Sequence, residues 1–338
     1  MRPLAILVAL GSVVAMVMPA AGQQTLAAVK KRDKLICGVN GQAPGFSSMN
    51  EFKKWSGLDV DFCLAVAAAV LGSTNKVEFV PTTAQERFDR LAKGDVDLLA
   101  RNSTVNLPRT VGTKVRVAAI NYMDGQAFVV AKNGGIPTAT ALGQKMICLV
   151  KGTDHQSNMA LWFKQRGVQF MVMPTETPEA MYQAFFAGRC QAVTQDASAL
   201  ASAVVASGKA GDYMMLPEII SKEPLGPYVR NGDTPWLDIV RWTHYAMVEG
   251  EEREITSANV DEAAQLKDIA MMRFLGGIDG NGKALGLDEK WAYNIIKQVG
   301  NYGESFERNL GQGSPLKFAR GSNALWTKGG IMLAPPFN

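Results

Sequence analysis

Histidine and cysteine are scarce in this chain, and their scarcity excludes several classes of site. The 338 residues include two histidines, His155 and His244, and four cysteines, with no Cys-x-x-Cys motif. A structural zinc site is therefore not expected. The sequence also lacks a Gly-x-Ser-x-Gly motif, a Walker loop and a dinucleotide-binding glycine motif placed after a strand. We accordingly expect no metal and no cofactor.

A strong net charge and internal hydrophobic runs are absent as well. The net charge of +4 is too small to predict a nucleic-acid partner. Arg2, the apolar run 4–18 and the small residues 19–22 predict a secretory signal peptide over residues 1–22. An N-terminal membrane anchor is the alternative, although the run is short for a membrane span. Because no later run is long enough to span a bilayer, we expect a soluble, exported protein.

The four cysteines are Cys37, Cys63, Cys148 and Cys190. An even number of cysteines in an exported chain favours disulfides, and three pairings are possible. We favour Cys37–Cys63 and Cys148–Cys190, because each pair then lies within one proposed lobe. Free buried thiols are the alternative.

Short apolar runs alternate with helical patterns in two separate parts of the chain. This alternation predicts α/β lobes, each with a parallel-rich sheet flanked by helices. The first part has strands at 35–40, 76–80 and 96–100 with helices at 58–71 and 84–93, and the second has strands at 145–150, 168–173 and 191–194 with helices at 156–166 and 178–187.

The two parts also resemble each other locally. Aligning Gly94 with Gly188 places Asn102 over Asp196. Polar turns thus follow equivalent strands, and open α/β sheets bind ligands at the carboxyl ends of their strands. Crossings near 122–125 and 223–230 divide the chain into a discontinuous first lobe, 23–124 and 227–338, and a second lobe, 125–226. Tail helices are expected at 236–247 and 288–298.

Charged residues after two of these strands indicate a receptor for a free amino acid. The guanidinium of Arg109 can donate two parallel hydrogen bonds to one carboxylate. Thr104 and Asn102 precede it in the same loop. Asp196 would pair with an ammonium group. The alternatives are a structural salt bridge for Arg109 and a lysine or arginine partner for Asp196.

The segment 152–154 lies between a predicted strand and helix, where exposed amides bind anions. Thr153 adds a hydroxyl there. An ordinary helix cap is the alternative for Thr153 or Asp154. We interpret His155 beside it as a solvated helix residue.

At this point the sequence resembles the periplasmic polar amino-acid-binding proteins of ABC importers, especially the branch for general, acidic and amide L-amino acids. The resemblance covers nearly the whole chain after the signal peptide. The segments that carry it are 57–63, Arg87-Phe88 with Leu91, 101–104 with Arg109, 122–126, Gly152-Thr153, 188–190 with Asp196, 216–227 and 299–304.

The resemblance implies a type II periplasmic-binding-protein fold of two lobes, with a hinge of two crossing strands. It implies a monomer in the periplasm that binds an L-amino acid and docks on a membrane-embedded ABC permease. The implied ligand-binding residues are Arg109, Thr104 and Thr153 for the α-carboxylate, Asp196 and the Asn102 backbone for the ammonium, and Asn40, Phe46 and Ser47 in the loop region facing the ligand side chain.

The sequence departs from this family at Val105, Asn106 and Pro108, where tryptophan and threonines are expected, so the preferred amino acid stays open. Two other functions are alternatives to binding for transport. One is a periplasmic cyclohexadienyl dehydratase on the same scaffold, with Asp154 or Glu51 as the acid. The other is a sensory role with a soluble partner.

Overall fold

A computed structural model describes residues 24–337, and these residues form two lobes, each built around its own sheet. The predicted signal peptide, 1–22, lies outside the described residues. Within residues 24–337, no helix is both long enough and apolar enough to cross a membrane.

Strands and helices alternate along most of the described chain. The strands are β1 (Leu35–Val39), β2 (Gln42–Ala43), β3 (Ser47–Met49), β4 (Trp55–Ser56), β5 (Val77–Pro81), β6 (Leu98–Thr104), β7 (Val115–Val117), β8 (Tyr122–Asp124), β9 (Gln126–Ala131), β10 (Met146–Val150), β11 (Met171–Thr175), β12 (Ala192–Asp196), β13 (Tyr213–Met215) and β14 (Glu223–Arg230). The helices are α1 (Gln24–Arg32), α2 (Leu58–Leu71), α3 (Arg87–Lys93), α4 (Leu107–Thr110), α5 (His155–Lys164), α6 (Pro178–Phe186), α7 (Ala197–Ala206), α8 (Thr234–Glu252), α9 (Val260–Ala263), α10 (Ile269–Leu275), α11 (Asn281–Leu285), α12 (Trp291–Gln298) and α13 (Tyr302–Asn309).

The first sheet has the strand order β5-β1-β6-β14-β7, and β8 pairs with β14. Strands β5, β1 and β6 are parallel, whereas β14 runs antiparallel to β6. Helices α2, α8 and α12 pack against one another over this sheet and share its core with the fully buried Trp236 and Trp291. The tail of the chain therefore completes the lobe that the first hundred residues begin.

The second sheet has the order β11-β10-β12-β9-β13 and repeats the plan of the first. Strands β11, β10 and β12 are parallel, and β9 runs antiparallel to β12. Strand β12 thus occupies the place that β6 occupies in the first sheet. The local resemblance around Gly94 and Gly188 corresponds to these equivalent strands.

The chain passes from the first sheet to the second at Gly125, between β8 and β9, and returns between β13 and β14. Strand β14 already pairs with β8 at Glu223, so residues 223–226 belong to the first sheet rather than to the second lobe as predicted. The prolines of this segment do not end the strand. Pro227 lies at a register shift between Gly226 and Tyr228, and proline is tolerated at such an irregularity.

Both favoured disulfides are present, and each lies within one lobe. Cys37 of β1 bonds Cys63 of α2, with Cα atoms 6.2 Å apart. Cys148 of β10 bonds Cys190, just before β12, with Cα atoms 5.9 Å apart. These separations lie within the range ordinary disulfides adopt. Each bond therefore fastens a strand whose end faces the space between the lobes.

Replacing Cys148 and Cys190 together with alanine should lower the free energy of unfolding of the second lobe by about 2–4 kcal/mol, since the bond closes a long loop in the unfolded chain. Guanidinium denaturation followed by tryptophan fluorescence measures the change. Treating the variant with a reductant then removes Cys37–Cys63 as well and should lower stability further. An unchanged denaturation midpoint in the double variant would contradict this account.

A charged cleft between the two sheets

A charged cleft lies where the carboxyl ends of β1, β6, β10 and β12 meet. Its lining comes from both lobes, and the free space is about 30 Å³. A ligand of amino-acid size thus enters only if the lobes move apart. The lining residues are Asn40, Ala84, Arg87, Arg101, Asn102, Thr104 and Arg109 from the first lobe, and Val150, Thr153, Asp154, His155, Pro178, Gln195 and Asp196 from the second.

An ion pair joins the lobes across this cleft. Nη1 of Arg109 lies 2.9 Å from a carboxylate oxygen of Asp154 and donates a hydrogen bond, 3.0 Å long, to the carbonyl of Thr104. The side-chain amide of Asn106 donates to the same oxygen of Asp154 at 2.6 Å. Asn106 also caps α4, accepting from the backbone N–H of Arg109. The cap thereby fixes the loop from which the guanidinium reaches the second lobe.

A second charged pair lies entirely within the second lobe. Nε2 of His155 is 3.0 Å from a carboxylate oxygen of Asp196, and both side chains are buried. Burial by itself lowers the pKa of His155, but the hydrogen bond and charge of Asp196, together with the charges of Glu223 and Asp154, outweigh burial and hold the pKa above its usual 6.5. The imidazole therefore keeps its proton to a higher pH than an ordinary histidine does, because the charged form pairs with Asp196.

Several carboxylates crowd the hinge side of the cleft. Glu223 accepts hydrogen bonds from Thr104, 2.6 Å, and from Asn158 of the second lobe, 2.8 Å. Burial and the charge of Asp196 raise the pKa of Glu223, and the same two causes raise the pKa of Asp124 to about 7. The negative charge on Asp196 thus makes Glu223 and Asp124 harder to ionise. A cation bound in the cleft would reduce this effect.

Comparison with known proteins identifies the family of this chain. Residues 35–259 match the bacterial extracellular solute-binding proteins, family 3. The chain belongs to this family. It is similar to the general L-amino acid-binding periplasmic protein AapJ of Rhizobium johnstonii, with 46% identity over 319 residues, 94% of each chain. It is also similar to the glutamate/glutamine/aspartate/asparagine-binding protein BztA of Rhodobacter capsulatus, with 45% identity covering 96% of each chain.

A solved structure supports the same conclusion about the fold. An ABC transporter periplasmic binding protein from Brucella ovis with glutathione bound superimposes with a TM-score of 0.91 and 45% identity, over 93% of this chain and 99% of that one. The expected two-lobe, type II periplasmic-binding-protein fold is therefore confirmed.

Six of the residues predicted to bind the ligand lie together in the cleft of this protein. They are Asn40, Asn102, Thr104, Arg109, Thr153 and Asp196. Asn40 donates to the side-chain oxygen of Asn102 at 3.1 Å. Asn102 adopts a positive φ of 37°, which asparagine tolerates better than most residues, and its N–H donates to Asp59 at 2.7 Å. The hydroxyl of Thr153 donates to the carbonyl of Val150 at 2.7 Å, so this hydroxyl is already engaged.

The prediction for Phe46 and Ser47 needs correction, because neither lines the cleft. Phe46 is buried in the core of the first lobe, with its ring centroid 5.1 Å from that of Tyr122 in an edge-to-face contact. The Ser47 hydroxyl accepts from the N–H of Asn40 at 3.1 Å. Ser47 therefore supports the chain just after β1, whereas Phe46 belongs to the core of the first lobe.

The interpretation of His155 as a solvated residue is wrong, since its side chain is buried and bonded to Asp196. Two further lining residues, Arg87 and Arg101, were cited in the family resemblance but were not assigned to the site. The available indication was a charged Arg101 that follows Leu98-Leu-Ala within β6, because a cation in a buried strand needs a partner.

Replacing Asp154 with asparagine should separate the lobes more often in the ligand-free protein. The substitution keeps a partner for Asn106 but removes the charge opposite Arg109, and charged hydrogen bonds contribute enough to change an equilibrium roughly tenfold. Small-angle X-ray scattering should report a larger radius of gyration than for the native protein. Glu176→Gln is the control, because its 3.5 Å contact with Gln85 is solvent-exposed. An equal change in both variants would argue against a special role for Asp154.

Proposed function

We propose that this chain captures free L-amino acids in the periplasm and delivers them to an ABC permease. The observation that carries the proposal is that Arg109 of the first lobe and Asp196 of the second line one cleft. A guanidinium and a carboxylate facing the same space are suited to the two charged groups of a zwitterion. Family membership and the names of relatives such as AapJ support the same function.

Ligand binding would exchange protein ion pairs for ligand ion pairs. The α-carboxylate would take the place of Asp154 on Arg109, and the α-ammonium would take the place of His155 on Asp196. In the ligand-free closed form these partners are already in place, so neither Arg109 nor Asp196 lacks a counter-charge there. The net gain on binding is then the difference between two sets of ion pairs, together with the contacts that the ligand makes to both lobes.

Closure follows from this two-sided arrangement. A ligand shifts the equilibrium toward closed lobes only by as much as it binds the closed form more tightly than the open form. A zwitterion that touches Arg109 and Asp196 together does so in the closed form alone. The closed lobes would then present the surface that a permease recognises, with the protein acting as a monomer.

The dehydratase alternative gains no support. The relatives described above carry the names of binding proteins. Of the two proposed acids, Asp154 is held in the ion pair with Arg109, and Glu51 is exposed and does not line the cleft. Incubation with prephenate, followed for product formation, tests the point directly, and turnover would reverse the conclusion.

Arg109→Ala should weaken amino-acid binding on the order of 100-fold, because the variant loses about two charged hydrogen bonds to the ligand carboxylate. Isothermal titration calorimetry measures the loss. The matched control is Arg189→Ala, since Arg189 is an exposed arginine of the second lobe and should leave affinity unchanged. Native-like affinity in Arg109→Ala would remove Arg109 from the site.

Affinity should also depend on pH through His155. Its pKa lies above 6.5, so at acidic pH the charged imidazole competes with the ligand ammonium for Asp196. Raising the pH through the pKa of His155 neutralises this competitor, and affinity should rise by up to about tenfold per pH unit before reaching a plateau. Calorimetry between pH 5.5 and 8.5 (roughly the range in which histidine titrates) measures the slope. His155→Gln should flatten it, and an unchanged slope in that variant would assign the effect to another group.

A further inference from the structure

The C-terminal segment, residues 302–337, holds the strand that leads into the hinge. This segment lies beyond residues 35–259, the part of the chain that matches the family. Within it, the buried side chain of Asn323 forms two hydrogen bonds with the backbone of Met123 in β8. Its oxygen accepts from the N–H of Met123 at 2.6 Å, and its amide donates to the carbonyl of Met123 at 3.1 Å. One side chain thus satisfies both backbone groups of Met123.

These two bonds complete one edge of a strand. Among the described strands, β8 pairs with β14 alone, and Met123 lies opposite Pro224 in that pair. A proline has no N–H to donate, and in antiparallel pairs the backbone groups of alternate residues point away from the partner strand. The backbone groups of Met123 point to Asn323, which takes the place of a further strand. Without Asn323 both groups would need another partner or water.

A second contact holds the residue two positions earlier in the chain. The buried hydroxyl of Tyr302 donates to the carbonyl of Asn121 at 2.9 Å. On the opposite side, the N–H of Asn121 donates to the carbonyl of Leu225 in β14 at 3.0 Å. Residues 121–123 are therefore fixed between β14 and the C-terminal segment.

Asn323 is itself anchored to the core of the first lobe. Arg320 forms a two-pronged ion pair with Glu251 of α8, with both nitrogen-to-oxygen distances at 3.0 Å. The same guanidinium donates from Nε and Nη2 to the carbonyl of Asn323, at 3.0 and 2.9 Å. It also lies 4.8 Å from the ring centroid of Phe306. Because two-pronged pairs fix geometry as well as adding energy, the position of Asn323 is set relative to α8.

The second lobe binds the chain immediately after this fixed segment. The carbonyl of Gly125 accepts from the N–H of Ala197, the first residue of α7, at 2.8 Å. The side chain of Asp124 accepts from the hydroxyl of Ser198 in the same helix. One residue thus separates Met123, held by the first lobe, from Gly125, held by the second. Relative motion of the lobes at this crossing is therefore confined to the backbone around Asp124.

We propose that Asn323 is a positioning residue for lobe closure, which fixes the first-lobe side of the hinge and thereby slows the release of bound ligand. A hinge strand that is free to shift gives the open protein more conformations, and closure then loses more conformational entropy. Fixing the strand in advance lowers that cost. The inference rests on the proposed function for ligand release, whereas the separation of the lobes in the ligand-free protein tests it independently.

Asn323→Ala removes both bonds to Met123 and should shift the ligand-free protein toward open forms. Small-angle X-ray scattering should report a larger radius of gyration than for the native protein. Hydrogen–deuterium exchange at the Met123 amide should become faster. With L-glutamate as the probe, stopped-flow tryptophan fluorescence should show release about three- to tenfold faster, as expected for the loss of about one net hydrogen bond, while the association rate changes less.

Asn281→Ala is the matched control. The side chain of Asn281 donates to the carbonyls of Arg273 and Phe337, at 3.4 and 3.2 Å, and so ties down the end of the C-terminal segment away from β8. This variant should keep the native radius of gyration and release rate, even if it lowers the melting temperature. Equal changes in Asn281→Ala and Asn323→Ala would overturn the inference, because loosening the segment anywhere would then have the same effect.

Tyr302→Phe keeps the ring and removes only the hydroxyl that bonds Asn121, so its changes should have the same direction and a smaller size. It decides the matter if Asn323→Ala fails to fold. A native radius of gyration in every folded variant of these two positions would overturn the inference while leaving the proposed function intact. If native protein does not bind L-glutamate, that result counts against the proposed function for this ligand, and scattering still decides the role of Asn323.

Discussion

Burial of charge between two sheets is the constraint on which the cleft depends. Arg109 reaches across it to Asp154, and His155 bonds Asp196 behind it. The His155–Asp196 pair is buried, so its electrostatic interaction is stronger than at the surface, whereas Asp154 of the other pair keeps 29% of its side chain exposed. The same burial that strengthens the His155–Asp196 pair penalises any charge without a partner. Arg87 and Arg101 are buried in the cleft lining, and within residues 24–337 neither forms a salt bridge.

The repeated topology explains why these groups meet at all. Strands β6 and β12 occupy equivalent places in the two sheets, flanked on one side by a parallel neighbour and on the other by an antiparallel strand from the hinge. Their carboxyl ends consequently face the same space. Two disulfides anchor β1 and β10, the parallel neighbours, within their own lobes. Each lobe can then move as a unit, while Gly125 and the segment before β14 connect them.

Much of this could be predicted from sequence because it depends on local patterns. Strand and helix periodicity and the glycine after α3 are local properties, and they indicated the two sheets. The lobe boundaries drawn from them then favoured the disulfide pairing that keeps each bond within one lobe. Partners across the cleft are not local. The bond between His155 and Asp196 and the ion pair between Arg109 and Asp154 join residues that are 41 and 45 positions apart, and no periodicity specifies them. Phe46 was misplaced for the same reason, since its direction depends on the tight turn between β2 and β3 that packs it against Tyr122.

The central claim is that this cleft closes over a free amino acid. The most direct test is a calorimetric survey of the twenty L-amino acids and several D-enantiomers with the refolded, ligand-free protein. The account predicts saturable binding that favours L-enantiomers. In the proposed complex, Arg109 and Asp196 hold two groups of the α-carbon, and the cavity that extends from Asn40 toward Trp55 and Met49 takes the third. Heat signals indistinguishable from dilution for every amino acid would contradict it.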